Sequence, residues 1–113
     1  MIIKEVNGEI INDSRKEKTI LVNIKTDVGE FSASAPNGKS KGKYETMPYK
    51  KTIEDDIKKL EGFKDYFSKE YIEKFEDLRR IEDITGKDVG ANTLFALESA
   101  VFKAVSTIPF RAP

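Results

Sequence analysis

Apolar and polar residues alternate with a period of two over the first third of the chain and with a period near three and a half over the rest. From Met1 to Ile11 the apolar positions Ile2, Val6, Ile10 and Ile11 are separated by polar residues, which predicts a somewhat irregular strand. The segment Thr19 to Lys25 is clearer: Ile20, Val22 and Ile24 point one way and Leu21, Asn23 and Lys25 the other, and β-branched residues abound. Thr26-Asp27-Val28-Gly29 supplies turn residues before a third strand, Glu30 to Ala35, so the pair should form an antiparallel hairpin.

Helical spacing begins at Thr52-Ile53-Glu54-Asp55, which resembles a capping box with acidic residues at the favourable end of the helix dipole. Ile53, Ile57 and Leu60 line one face of that helix. A second helix is predicted from about Ser68 to Asp83, with Tyr71, Ile72, Phe75, Leu78 and Ile81 on one stripe and Gly86 ending it. The third starts near Asn92 and carries Leu94, Leu97, Val101, Phe102 and Val105 among small alanines; apolar nearly all round, it is expected in the centre of the domain, with Pro109 stopping it. Strands followed by helices make an α+β domain, a three-stranded antiparallel β-meander followed by a helical layer over one face.

At 113 residues, 38% hydrophobic, the chain is the size of one domain with one modest core, and residues 1–113 are read as a single unit. It has no cysteine and no histidine, so thiolate chemistry and imidazole bases or ligands are excluded, and carboxylates, lysines and hydroxyls are the chemical groups left. Charges within the first residues rule out a signal-peptide core there, and no apolar run approaches membrane-spanning length; a cytoplasmic location without membrane partners is expected. Twenty basic residues balance twenty acidic ones, yet Lys39, Lys41, Lys43, Lys50 and Lys51 cluster against Glu45 alone. One loop is therefore a positive feature on a neutral protein.

That loop, Pro36-Asn37-Gly38-Lys39-Ser40-Lys41-Gly42-Lys43-Tyr44-Glu45, follows the third strand. Gly38-Lys39-Ser40 invites a P-loop reading, but the position of the leading glycine is Ala33, inside the predicted strand, and no helix starts after Ser40 to supply phosphate-binding donors. Nucleic acid is a second candidate, with the five lysines on phosphates and Tyr44 or Tyr49 stacking on bases; zero net charge, no arginine in the patch and no RNA-binding signature argue against it. Asp13 and Arg15 are expected to form a local turn or ion pair rather than a functional site.

The third candidate is a family. Asp13-Ser14-Arg15-Lys16-Glu17-Lys18-Thr19 stands where enolases carry Asp-Ser-Arg-Gly-Asn-Pro-Thr, and residues 36–45 match their loop Pro-Ser-Gly-Ala-Ser-Thr-Gly-x-Tyr/His-Glu. Val89-Gly90-Ala91-Asn92-Thr93-Leu94 resembles Leu-Gly-Ala-Asn-Ala-Ile, and Ser99-Ala100-Val101-Phe102-Lys103-Ala104 resembles the helix Ser-Leu-Ala-Val-Ala-Lys-Ala. The chain thus resembles the N-terminal domain of enolase, phosphopyruvate hydratase, over almost its whole length. The resemblance implies a three-stranded meander followed by helices, and a role as a lid over 2-phosphoglycerate or phosphoenolpyruvate, with Gly38, Lys39, Ser40, Lys41 and Gly42 at its centre. It also implies that the serine matching Ser40 helps bind a second magnesium, and that the metal cage and the bases of this glycolytic lyase lie in a C-terminal barrel that this chain lacks. No residue here is expected to be catalytic alone; lyase activity would need a barrel partner. The family's alanine and threonine beside the serine are Lys39 and Lys41 here, cations that repel magnesium and attract phosphate. Lys39, Lys41 and Lys43 are accordingly the candidate anion-binding residues of an alternative, non-enzymatic module for a phosphorylated small molecule, nucleic acid or protein. A fragment, half of a split enzyme, a stand-alone binder and a scaffold all fit, as does self-association; the tail Pro109-Phe110-Arg111-Ala112-Pro113 reads as a chain end.

Overall fold

A computed structural model describes residues 1–12, 14–35, 49–67, 72, 75–85 and 88–107. Three strands, β1 (Ile3–Asn12), β2 (Lys18–Thr26) and β3 (Gly29–Ser34), form one antiparallel sheet in the order β1-β2-β3. The helices α1 (Ile53–Gly62), α2 (Lys64–Phe67), α3 (Leu78–Thr85, entered through a 3₁₀ turn at Phe75–Asp77) and α4 (Ala91–Ser106) follow. The protein is an α+β domain.

Register puts Val6 opposite Ile24 and Ile24 opposite Phe31, with Gly8 opposite Val22 and Val22 opposite Ala33 one pair along. The alternation of β2 therefore turns Ile20, Val22 and Ile24 to one face, where each is at most 1% exposed. Under that face, α1 and α2 pack on β1, while α4 packs on β3 and β2. Leu60, Phe63 and Phe67 on the first side and Leu97, Ala100, Val101 and Ala104 on the other complete the core. Gly8 permits the close approach of α1: a Cβ there would stand 3.0 Å from Leu60 Cδ1 and 3.1 Å from Ile57 Cγ1.

The opposite face carries Glu5, Lys25 and Glu30 in one row and Asn7, Asn23 and Ser32 in the next. Lys25 pairs with Glu5 at 3.4 Å and Glu30 at 3.9 Å, and Asn23 Nδ2 donates to Asn7 Oδ1 and Glu9 Oε2. Such exposed pairs each contribute at most about 1 kcal/mol, so they keep this face hydrated rather than hold the fold.

Two expectations change. The second helix does not run from about Ser68: Ile72 is non-helical, 2% exposed, and its N–H donates to Met1 O at 2.8 Å, so the chain docks on the end of β1 before α3 begins. α4 is not buried all round. Asn92, Thr93, Ala96, Leu97, Ala100, Val101, Ala104 and Val105 are buried, whereas Phe95 and Phe102 are 52% and 50% exposed, because the helix covers the sheet from one side only. Its end comes at Ser106; Pro109 and Gly86 lie outside the described residues.

Candidate functional site: the stems of the loop and a lysine cleft

Residues 36–48 lie outside the described residues, and with them Gly38, Lys39, Ser40, Lys41, Gly42, Lys43 and Tyr44; Asp13 does too. The stems on either side are well held. On the β3 side, Ala35 N donates to Ile20 O at 3.2 Å and Thr19 Oγ1 donates to Ala35 O at 2.7 Å, fixing the chain immediately before Pro36. Thr19 is 1% exposed, so this clasp is dry and hard to exchange for water.

On the other side the anchor is Asp56, which is fully buried. Its Oδ1 accepts from Lys50 N at 3.2 Å; its Oδ2 accepts from Gly90 N at 3.0 Å and from Thr93 Oγ1 at 2.5 Å. One carboxyl group thus joins the segment entering α1 to the first turn of α4. Gly90 is the N-cap residue of α4 and has no side chain with which to cap it, so Asp56 supplies the missing acceptor and an acidic group at the positive end of that helix. Three of its acceptor sites are thus committed to holding the backbone and Thr93 in place. Sequence reasoning did not single out Asp56, since nothing local signals a partner at positions 90 and 93. α1 itself is capped as expected, with Thr52 Oγ1 accepting from Asp55 N at 3.1 Å.

Around this anchor opens a cleft of about 350 Å³ lined by Lys50, Lys51, Lys58 and Lys59 with Asp55, Asp56 and Asp88. Lys50 and Lys51, two of the five lysines singled out in the sequence, are brought together with Lys58 and Lys59, whose part the linear charge pattern hid because acids intervene. Four lysines face three aspartates here, one of which already accepts three hydrogen bonds, so the cleft carries a small positive excess. Tyr49 does not serve as an open stacking platform. It packs half-buried against the core, and its hydroxyl is buried with no hydrogen-bond partner among the described residues.

Among the described residues no group of three or more acidic residues could hold a metal ion. The Ala33 that breaks the P-loop pattern lies within β3. The one carboxyl raised strongly among them is away from the cleft: Glu98 on α4, half-buried, is pushed up to about 7 by burial first and by the Glu82 carboxylate second. Asp27, in the β2–β3 turn, is held below the usual range, chiefly by the hydrogen bond it accepts from Ile2 N.

Compared with the known protein families, the chain matches no family model. No helix among the described residues is long and apolar enough to cross a membrane.

Proposed function

We propose that this chain is an enolase N-terminal-like domain that supplies the loop 36–45 to an enolase-like assembly acting on 2-phosphoglycerate and phosphoenolpyruvate. The observation that carries this reading is the backbone of Lys16, whose φ is +65°. A left-handed lysine is costly and uncommon, and it stands at the position where the enolase motif Asp-Ser-Arg-Gly has its glycine. The conformation a glycine would explain persists where the glycine does not. The anchored stems at Ala35 and Lys50 support the same reading, since a loop that closes on a ligand needs fixed ends.

One neutral oxygen of Ser40, between two ammonium side chains, is not a magnesium site by itself. A metal in such an assembly would be held by carboxylates of the barrel partner, and this chain's contribution is to place Ser40 and the lysines against the substrate's charged groups and to exclude water.

A second reading is favoured by the lysine cleft: the chain alone binds a phosphorylated small molecule, using the cleft lysines Lys50, Lys51, Lys58 and Lys59 together with the sequence candidates Lys39, Lys41 and Lys43. The two readings part in a single experiment. The tagged chain is used to capture partners from its native extract, and dehydration of 2-phosphoglycerate is followed with and without the captured protein. Activity that needs both components, and falls with Ser40→Ala, supports the lid; saturable binding of 2-phosphoglycerate to the chain alone, lost in the triple Lys39/Lys41/Lys43→Ala variant, supports the independent binder and overturns the first reading.

A further inference from the structure

The charges of the lysine cleft are arranged in sequence along α1, which their sum does not convey. Lys50 and Lys51 precede Thr52, the N-cap residue of α1, whereas Lys58 and Lys59 stand in its second turn. The helix rises about 10 Å between the cap and the second pair. Asp55 lies between them, half-buried, and shares a face with Lys58 and Lys59 at the i+3 and i+4 spacings. Neighbours so placed are well positioned to pair, yet among the described residues no ion pair joins any of the four lysines to Asp55 or to Asp88 on the opposite wall. Asp56 alone is committed, to Lys50 N, Gly90 N and Thr93 Oγ1. The cleft therefore has a cationic pair at each end and an available carboxylate in the middle.

We propose that this cleft takes a small polyol bearing an anionic group, phosphate or carboxylate, at each end: Lys50 and Lys51 hold one, Lys58 and Lys59 hold the other, and Asp55 accepts a hydrogen bond from a hydroxyl between them. The assignment rests on the second reading above, in which the chain alone binds a phosphorylated small molecule, and adds the shape of that molecule. A volume of about 350 Å³ is in the range of small-molecule clefts and far more than one phosphate fills. Asp55 repels an anion placed at the centre, so the negative groups are kept apart, while a hydroxyl there gains a charge-assisted bond. The ends are unequal. The first pair stands at the positive end of the α1 dipole and the second towards its negative end, where Lys59 is the basic residue of the last turn. A lone phosphate accordingly prefers Lys50 and Lys51.

Calorimetric titration of the 113-residue chain tests this with inorganic phosphate, hexanediol bisphosphate phosphorylated at both ends, and the matching hexitol bisphosphate. The hexanediol compound should bind about tenfold more tightly than phosphate, because its second contact is intramolecular. The hexitol should gain about threefold more through Asp55. Lys58→Ala with Lys59→Ala should bring both bisphosphates down towards phosphate and leave phosphate itself unchanged, whereas Lys50→Ala with Lys51→Ala should weaken all three. Asp55→Ala should tighten both bisphosphates by removing a negative charge, yet abolish the preference for the hexitol. Only a hydroxyl contact accounts for that last result, since a general charge effect moves both compounds alike. All of these changes are to surface or half-buried side chains, and thermal melts of each variant check that the fold is kept. Equal affinity for phosphate and the bisphosphates, or a hexitol preference that survives Asp55→Ala, would overturn the two-ended ligand. So would loss of phosphate in both double-lysine variants, which would mean that all four ammonium groups converge on one anion. Phosphate binding without a bisphosphate advantage sinks this inference alone; a chain that binds none of the three probes sinks the second reading with it. None of the variants alters residues 36–45.

Discussion

Lys16 and Glu98 are each held in a state their chemistry disfavours. A left-handed backbone costs a residue with a Cβ about 1–2 kcal/mol, part of which a glycine would give back through its larger unfolded-state entropy. Lys16→Gly should therefore stabilise the protein by about 0.5–1 kcal/mol, measured by chemical denaturation; a destabilised variant would show that Lys16 contributes contacts outweighing its strain. Glu98 works through protons. Its folded-state value near 7 lies above the ordinary 4.5, so between those pH values the folded protein holds a proton that the unfolded chain has lost. Stability therefore falls as pH rises from about 4.5 to 7 and is constant in this respect above it. Glu98→Gln removes the titration: the variant should be more stable than the parent at pH 8, close to it at pH 4, and flatter between, as thermal melts across that range would report.

Elements are joined by few but buried contacts, and two of these are open to direct test. Asp56 binds the entry of α1 to the start of α4 with three hydrogen bonds. Asp56→Ala leaves Gly90 N and Thr93 Oγ1 without acceptors in a buried place, and Lys50 N in a part-buried one, and should cost about 3 kcal/mol, with hydrogen exchange speeding first at residues 90–94. Asp56→Asn keeps the shape and loses the charge at the helix start, so its cost should be smaller. The second contact is the seat of α1 on β1. Gly8→Val drives a branched side chain into Leu60 and Ile57 and should cost about 1–3 kcal/mol, unless α1 lifts from the strand, which would appear as lost protection across both elements.

For the domain as a unit, one face of the sheet is covered by helices and the other is a hydrated ladder of Glu, Asn, Lys and Ser. That division leaves one surface distinguished by its chemistry, the cationic cleft beside the loop stems. Phosphate should bind the cleft, with affinity falling as salt screens the lysines over a Debye length of about 8–10 Å. Lys50→Ala with Lys51→Ala, read by phosphate titration of the chain, checks this: affinity should fall about tenfold without a change in melting temperature.

How much of this was legible beforehand follows from the range of the interactions. Period-two alternation at Ile20, Val22 and Ile24, the turn at residues 26–29 and the Thr52 cap are set by neighbours within a few residues, so the α+β order and the start of α1 could be read directly. The helix expected from Ser68 could not be judged that way: the N–H of Ile72 bonds to Met1, and a partner some seventy residues distant outweighs local helical periodicity. The outward turn of Phe95 and Phe102 likewise depends on which side of α4 the sheet occupies, and an apolar helix carries no mark of it. Asp56 and the lysine cleft exist only because Lys50, Lys58, Lys59, Asp88 and Gly90 converge in space. Local pattern decides which elements form, since it is fixed by short-range sterics and burial periodicity. Packing decides which charges meet and which apolar groups are left outside, since those depend on partners that the chain order keeps apart.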